Sequence, residues 1–130
     1  MLSRRSILIA ALAASAGAAA PALAAGPLPF DGAAFAAAQK AGKPIFVGIH
    51  ASWCPICKAQ APILAELMAD PKFKDLLYFT VDFDSQKDLV RRFGARMQST
   101  LIAFHGATET GRSVGDRDRS SIAALLNTTL

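Results

Sequence analysis

The reading turns on Ala51-Ser52-Trp53-Cys54-Pro55-Ile56-Cys57-Lys58, which holds both cysteines of a 130-residue chain. Two chemistries use the Cys-x-x-Cys spacing. One is a redox dithiol that opens and closes a disulfide, and the other is half of a thiolate metal site. A purely structural staple is the weaker use, because in the loop-entropy picture closing so short a loop stabilises little.

The flanks of this stretch point to an α/β domain. Immediately before it, Ile45-Phe46-Val47-Gly48-Ile49-His50 is a short apolar run rich in β-branched residues and reads as a buried strand. Immediately after it, Pro55 to Met68 is helical in pattern. Ala59, Ile63, Leu64, Leu67 and Met68 share one face, Lys58 and Glu66 face water, and Pro62 is expected to kink the helix. Asp70-Pro71 ends it. Further out, Asp31 caps a short helix through Ala33–Lys40, stopped by Gly42 and Pro44. Gly26-Pro27-Leu28-Pro29 reads as a leader without regular structure. Leu76–Phe83 is a second strand, and Ser85 is expected to cap a helix ending at Phe93-Gly94. Thr100–Phe104 is a third strand. Gly106 and Gly111 bracket a hairpin turn into Arg112-Ser113-Val114, and Arg119–Leu126 is a last helix with Ile122, Leu125 and Leu126 as its apolar stripe. Parallel crossovers followed by an antiparallel hairpin predict a mixed central sheet with helices on both faces.

The N-terminus is of another kind. Met1-Leu2-Ser3-Arg4-Arg5 is basic, an Ala/Leu/Ile run follows, and Ala22-Leu23-Ala24 offers small residues for cleavage. That is the pattern of an export signal over residues 1–24, and Arg4-Arg5 gives it a twin-arginine character. The mature domain would then be residues 25–130, in a periplasmic or secreted location. The formal charge of +4 includes those two arginines. The remaining basic residues sit beside acids, such as Arg91-Arg92 near Asp88 and Arg117 and Arg119 around Asp118, which argues against a nucleic-acid partner.

Over roughly residues 31–128 the chain resembles the thioredoxin family. The resemblance is carried by Trp53-Cys54-Pro55-Ile56-Cys57-Lys58, Ala61-Pro62-Ile63-Leu64, Phe93-Gly94, Thr100-Leu101 and Gly115. Ala38–Pro44 is similar to the periplasmic subgroup, which includes the end domain of the transmembrane electron-transfer proteins. The resemblance implies a thioredoxin-like fold and thiol–disulfide oxidoreductase activity on disulfides or dithiols of other exported proteins. A second redox protein, free or membrane-bound, would recycle the pair.

Cys54 follows a strand and falls at the N-cap of a helix, where free backbone N–H groups and the positive helix end favour thiolate over thiol. Pro55 suits the first helical turn. Cys54 is therefore the expected nucleophile, and Cys57, one turn in and expected to be the more buried, resolves the mixed disulfide. No organic or metal cofactor is required. Pro55 and Ile56 tune the pair. By resemblance to relatives with other intervening residues, its potential should fall in roughly the −150 to −250 mV range. Trp53 is read either as core filler or as a wall of the substrate groove.

Two departures from the family stand out. Six residues before Cys54, where the family has a buried Asp, this chain has Gly48. His50, on the same side of the strand, is a candidate substitute base for Cys57, against the plainer reading of a strand-end histidine. His105 reads as a surface residue. Where the family has a cis proline, this chain has Ser99, in Gln98-Ser99-Thr100. Either a strained cis bond persists there, at about 3–4 kcal/mol, or the loop is rebuilt with a trans bond. In both cases the loop is expected to bind substrate as an added strand. In the family that proline also shields the thiols from metals. Its loss keeps open an alternative in which Cys54 and Cys57 hold Cu(I) or Zn(II), although no other residue is assigned as a metal ligand. A noncatalytic binding module on the same fold is the third reading.

Overall fold

The computed structural model describes residues 26–130, together with Gly17. The export segment read over residues 1–24 therefore lies outside the described residues except at Gly17. The element order is β1 (Leu28–Pro29), α1 (Gly32–Lys40), β2 (Pro44–His50), α2 (Pro55–Met68), β3 (Leu77–Asp82), α3 (Lys87–Arg92), β4 (Thr100–His105), β5 (Thr108–Val114) and α4 (Arg119–Asn127), with a 3-10 turn at Pro71–Phe73. The five strands form one sheet in the order β1-β3-β2-β4-β5. β1, β3 and β2 run parallel, and β4 and β5 are antiparallel additions.

Strand alternation sorts the core into two layers. Ile45, Val47 and Ile49 of β2 face one side with Phe79 and Val81 of β3, where Phe35 and Ala38 of α1 and Val90 of α3 cover them. Phe46 of β2 and Leu101 and Ala103 of β4 face the other side, under Leu64 and Met68 of α2 and Ile122 and Leu126 of α4. Helices thus cover both faces, as the sequence pattern predicts. Two carboxylates cap helices: Asp31 accepts from the Ala34 N–H at 3.0 Å and Asp118 from the Ser121 N–H at 2.8 Å.

Three local expectations change. Leu28-Pro29 is not a bare leader but pairs in parallel with Phe79-Thr80, and the Phe30 N–H donates to the Thr80 carbonyl at 3.0 Å. Pro29 is tolerated because β1 is an edge strand. Ser85 does not cap α3. The N-cap is Gln86, without a side-chain cap bond, and the Ser85 hydroxyl donates instead to Asp82 at 2.9 Å. The hairpin turn is the tight Gly106-Ala107 pair, so Gly111 lies within β5 opposite Ala103. A Cβ on Gly111 would stand 2.8 Å from Leu125 Cδ1, so the close approach of α4, not a turn, explains that glycine.

Candidate active site at the start of α2

β2, the central strand, delivers the chain to the C-terminal end of the parallel strands, and α2 starts at Pro55 with Cys54 as its N-cap in extended conformation. Cys54 and Cys57 are joined as a disulfide with their Cα atoms 5.3 Å apart. The Cys54 sulfur accepts a hydrogen bond from the Cys57 N–H at 3.1 Å. It therefore occupies the seat that the sequence assigned to it, facing the unpaired donors of the first helical turn. Pro55 is exposed at the first helical position, where its missing N–H costs nothing. Pro62 lies inside α2, which continues on both sides of it.

Burial of the two sulfurs reverses the expectation. Cys54 is only 1% exposed, whereas Cys57 is partly exposed. The cause is the space beside α2. Cys57 lines a groove of about 840 Å³ between α2 and the β2/β3 side of the sheet, and Cys54 does not.

Three segments lie around the dithiol away from that groove. Trp53 is 54% exposed, and its indole N–H donates to Asp84 at 2.7 Å. It is not core filler. A fixed, exposed indole beside Cys54 forms a wall next to the dithiol. Met97–Ser99 lies outside every strand pairing, with Met97 51% exposed. The bond before Ser99 is trans, and Ser99 instead takes the left-handed conformation at φ 58°. This is the rebuilt loop of the two alternatives. Ser99 and Thr100 are buried, Gln98 is half-buried, and the Thr100 hydroxyl donates to the Met97 carbonyl at 2.7 Å. The Ser99 carbonyl accepts from the Gly115 N–H at 3.0 Å, and Ile56 Cδ1 lies 3.9 Å from the position of a Cβ on Gly115. Ile56, the Ser99 loop and Gly115 thus meet beside the dithiol.

The sequence reading missed Gln60. It is buried, and its amide Nε2 donates to the Asp116 carbonyl at 2.8 Å and to the Ser99 carbonyl at 3.4 Å. One side chain on the dithiol helix therefore ties down both loops opposite. The signal was present: Gln60, Leu64 and Met68 are spaced four apart and are the buried residues of α2. Of the expected stripe, Leu64 and Met68 lie on that face, Ile63 and Leu67 are partly buried beside it, and Gln60 takes the place read for Ala59.

Gly48 and His50 both line the groove with Cys57. At the Gly48 position a Cβ would stand 2.8 Å from the hydroxyl oxygen of Tyr78 on β3, so this phenol fills the place where a side chain would project. Burial pushes the Tyr78 phenol up to about 12, keeping it neutral and a donor. His50 is exposed and pairs in register with Asp82. Hydrogen bonds from the Ser85 N–H and hydroxyl, with lesser help from the Asp84 N–H and the charge of His50, hold the Asp82 carboxyl below its usual range. His105 is exposed, and its Nδ1 donates to the Thr129 carbonyl at 2.8 Å, away from the dithiol. Among the described residues no group of three or more His, Cys, Asp or Glu side chains is placed to hold a metal ion, and no helix is long and apolar enough to cross a membrane.

The thioredoxin family pattern matches residues 28–128. A thioredoxin of Pseudomonas aeruginosa is 33% identical over 88 residues, spanning 68% of this chain and 81% of its own length. The bifunctional thioredoxin reductase/thioredoxin of Mycobacterium leprae is 29% identical over 92 residues, which are 71% of this chain and 20% of that protein. Among solved structures, Trxlp from Edwardsiella tarda EIB202 superposes with a TM-score of 0.74 at 40% identity, covering 77% of this chain and 97% of that one. Because the family match runs from the first strand into the end of the last helix and carries the cysteine pair within it, the chain belongs to the thioredoxin family, and it is a thiol–disulfide oxidoreductase.

Proposed function

We propose that the protein exchanges disulfides with other exported proteins, in a periplasmic or secreted location, through the Cys54–Cys57 pair and without a bound cofactor. The observation that carries the chemistry is the seat of the Cys54 sulfur at the N-cap of α2, 3.1 Å from the Cys57 N–H. A helix end of this kind favours the thiolate, which is the attacking species. In the reduced protein, Cys54 thiolate attacks a substrate disulfide. One substrate sulfur leaves as thiolate, and a mixed disulfide forms on Cys54. Cys57 then loses its proton, attacks the Cys54 sulfur and releases the second substrate sulfur, leaving the bond now seen between Cys54 and Cys57. His50 is the acceptor for the Cys57 proton, supported by their shared groove. Trp53 and the Gln98-Ser99-Thr100 loop hold the substrate chain, Pro55 and Ile56 tune the pair, and a second redox protein resets it. The basic, apolar and small-residue pattern of residues 1–24 supports the compartment.

The test combines chemistry with location. Replacing Cys54 with Ala should abolish exchange with a model protein disulfide, and Cys57→Ser should accumulate substrate mixed disulfides on Cys54. Cells expressing the full chain should yield a product starting near Ala25 outside the cytoplasm, and Arg4→Lys with Arg5→Lys should retain the precursor. Full activity in Cys54→Ala would end the catalytic reading. A cytoplasmic, unprocessed product would end the export reading.

A further inference from the structure

A smaller pocket of about 250 Å³ borders two of the segments that flank the dithiol. Asp84 lines it, and the same carboxylate receives the Trp53 indole N–H at 2.7 Å. Arg96 lines it too, and the next residue, Met97, begins the segment outside every strand pairing that runs to Ser99. The volume lies below the range of about 300–1,000 Å³ typical of small-molecule sites, so the pocket suits one side chain better than a free ligand. Its apolar part comes from Phe83, Val90 and Ala95. Its charged part is basic. Lys87 and Arg91, four apart on α3, share a helix face, and Arg96 joins them from the loop that follows Gly94. All three are exposed. The one carboxylate in the lining, Asp84, is already bonded to the indole. Arg91 pairs with Asp88, which does not line the pocket. Lys87 and Arg96 have no acidic partner among the described residues. Even with Asp88 counted, the site keeps an excess of positive charge.

We propose that this pocket receives an acidic side chain of the substrate protein, a glutamate a few residues from the reacting cysteine, and so selects disulfides that lie in acidic segments. The proposal rests on the dithiol reading and deepens it by naming a substrate class. A substrate chain held by Trp53 and the Ser99 loop runs beside Asp84 and Arg96, the two residues that join those segments to the pocket. The methylenes of its glutamate pack on Phe83, Val90 and Ala95. Its carboxylate accepts from the Arg96 guanidinium and the Lys87 ammonium, with Arg91 shared between it and Asp88. A guanidinium matches a carboxylate at two points, which fixes the position of the chain as well as its charge. Exposed ion pairs are weak singly, each worth up to about fivefold in affinity, so the cluster should give a preference of about tenfold. The same charges speed encounter with an acidic chain, and salt screens that part. Exchange at Cys54 is the same for every substrate, and the pocket sets which chains reach it.

The probe is a set of three disulfide peptides, identical except that the residues flanking the cysteine are Glu, Gln or Lys. The full chain is reduced, freed of reductant and mixed with each peptide, and the second-order rate of peptide reduction is measured. At low salt the Glu peptide should react about tenfold faster than the Gln peptide and the Lys peptide slowest, with the Glu advantage falling to about twofold at high salt. Equal rates for Glu and Gln overturn the proposal. Combining Lys87→Gln, Arg91→Gln and Arg96→Gln should bring the Glu-to-Gln ratio close to one, and a ratio kept at the parent value overturns it. Lys87→Glu with Arg96→Glu should invert the order, so that the Lys peptide outruns the Glu peptide. A damaged fold would slow all three peptides without inverting them, so an order that stays as in the parent overturns the proposal. Lys43→Gln, Lys72→Gln and Lys74→Gln together remove the same charge before β2 and β3, at the strand ends remote from the dithiol, and should preserve the ratio. An equal loss there would show net charge alone at work and overturn the pocket. A parent protein that reduces none of the peptides would refute the dithiol reading itself, whereas one that reduces all three at one rate would refute the pocket alone.

Discussion

Replacing Gly48 with alanine should destabilise the domain through one contact. The added Cβ would lie 2.8 Å from the Tyr78 hydroxyl oxygen, 3.1 Å from Cε2 and 3.4 Å from Cζ. The first distance is too short for any carbon, and the ring must move. Tyr78 packs against Phe46, with ring centroids 5.9 Å apart, so the movement disturbs the core under α2. Overpacking of this kind costs about 1–3 kcal/mol. Alanine recovers about 0.4–1 kcal/mol by restricting the unfolded chain. The net loss should be about 1–2 kcal/mol, or roughly 5–10 °C in Tm for a domain of this size. In a Tyr78→Phe background the shortest contact disappears but the ring carbons remain, so about half the cost should persist. The assay is urea unfolding of the oxidised protein in all four combinations of the two substitutions. A Gly48→Ala variant as stable as the parent, or a cost unchanged in the Tyr78→Phe background, would refute the account of why glycine stands where the family has a carboxylate.

Gln60→Leu should cost about 1–3 kcal/mol by leaving the Asp116 carbonyl without its amide donor, and should raise KM for a protein disulfide several-fold with kcat unchanged. Unaltered KM would show that the Ser99 loop does not need this tie. Ser99→Gly should stabilise the fold by about 1 kcal/mol, since only glycine is at ease at φ 58°, and a loss of stability in urea melts would contradict this. Tyr78 is the chain's one tyrosine, so phenolate absorbance reads it alone, with a midpoint expected near 12. The unfolded phenol releases its proton near pH 10, the folded one about two units later. Stability from this group is therefore whole below about pH 10 and falls by roughly 2–3 kcal/mol as pH rises towards 12. Tyr78→Phe should remove that alkaline loss in urea melts made across the same range.

Local chemistry was legible where a short stretch carries its own cause. Cys54 sits at a helix N-cap because a strand, a tight turn and Pro55 follow one another in sequence. The two-layer core follows from the alternation of Ile45, Val47 and Ile49 against Phe46 and Gly48. Expectations failed where another side chain competes for the same group or where a neighbour distant in the chain decides. Ser85 loses the cap of α3 because the carboxylate of Asp82 captures its hydroxyl and N–H. Leu28-Pro29 becomes a strand because β3 offers it an open edge.

The sequence by itself determined the fold class, the dithiol and the sulfur held at the helix mouth, since hydrophobic period, caps and cysteine spacing are local properties. Only the tertiary structure decided which sulfur is open, what fills the site of the absent carboxylate, and what holds the Ser99 loop. Each of those depends on a residue brought from another element: the gap between α2 and the β2/β3 face exposes Cys57, Tyr78 occupies the space at Gly48, and Gln60 reaches Ser99 across 39 residues of chain. Helical period marks Gln60 as buried but names no partner for it, because packing distance in the folded chain is independent of separation along it.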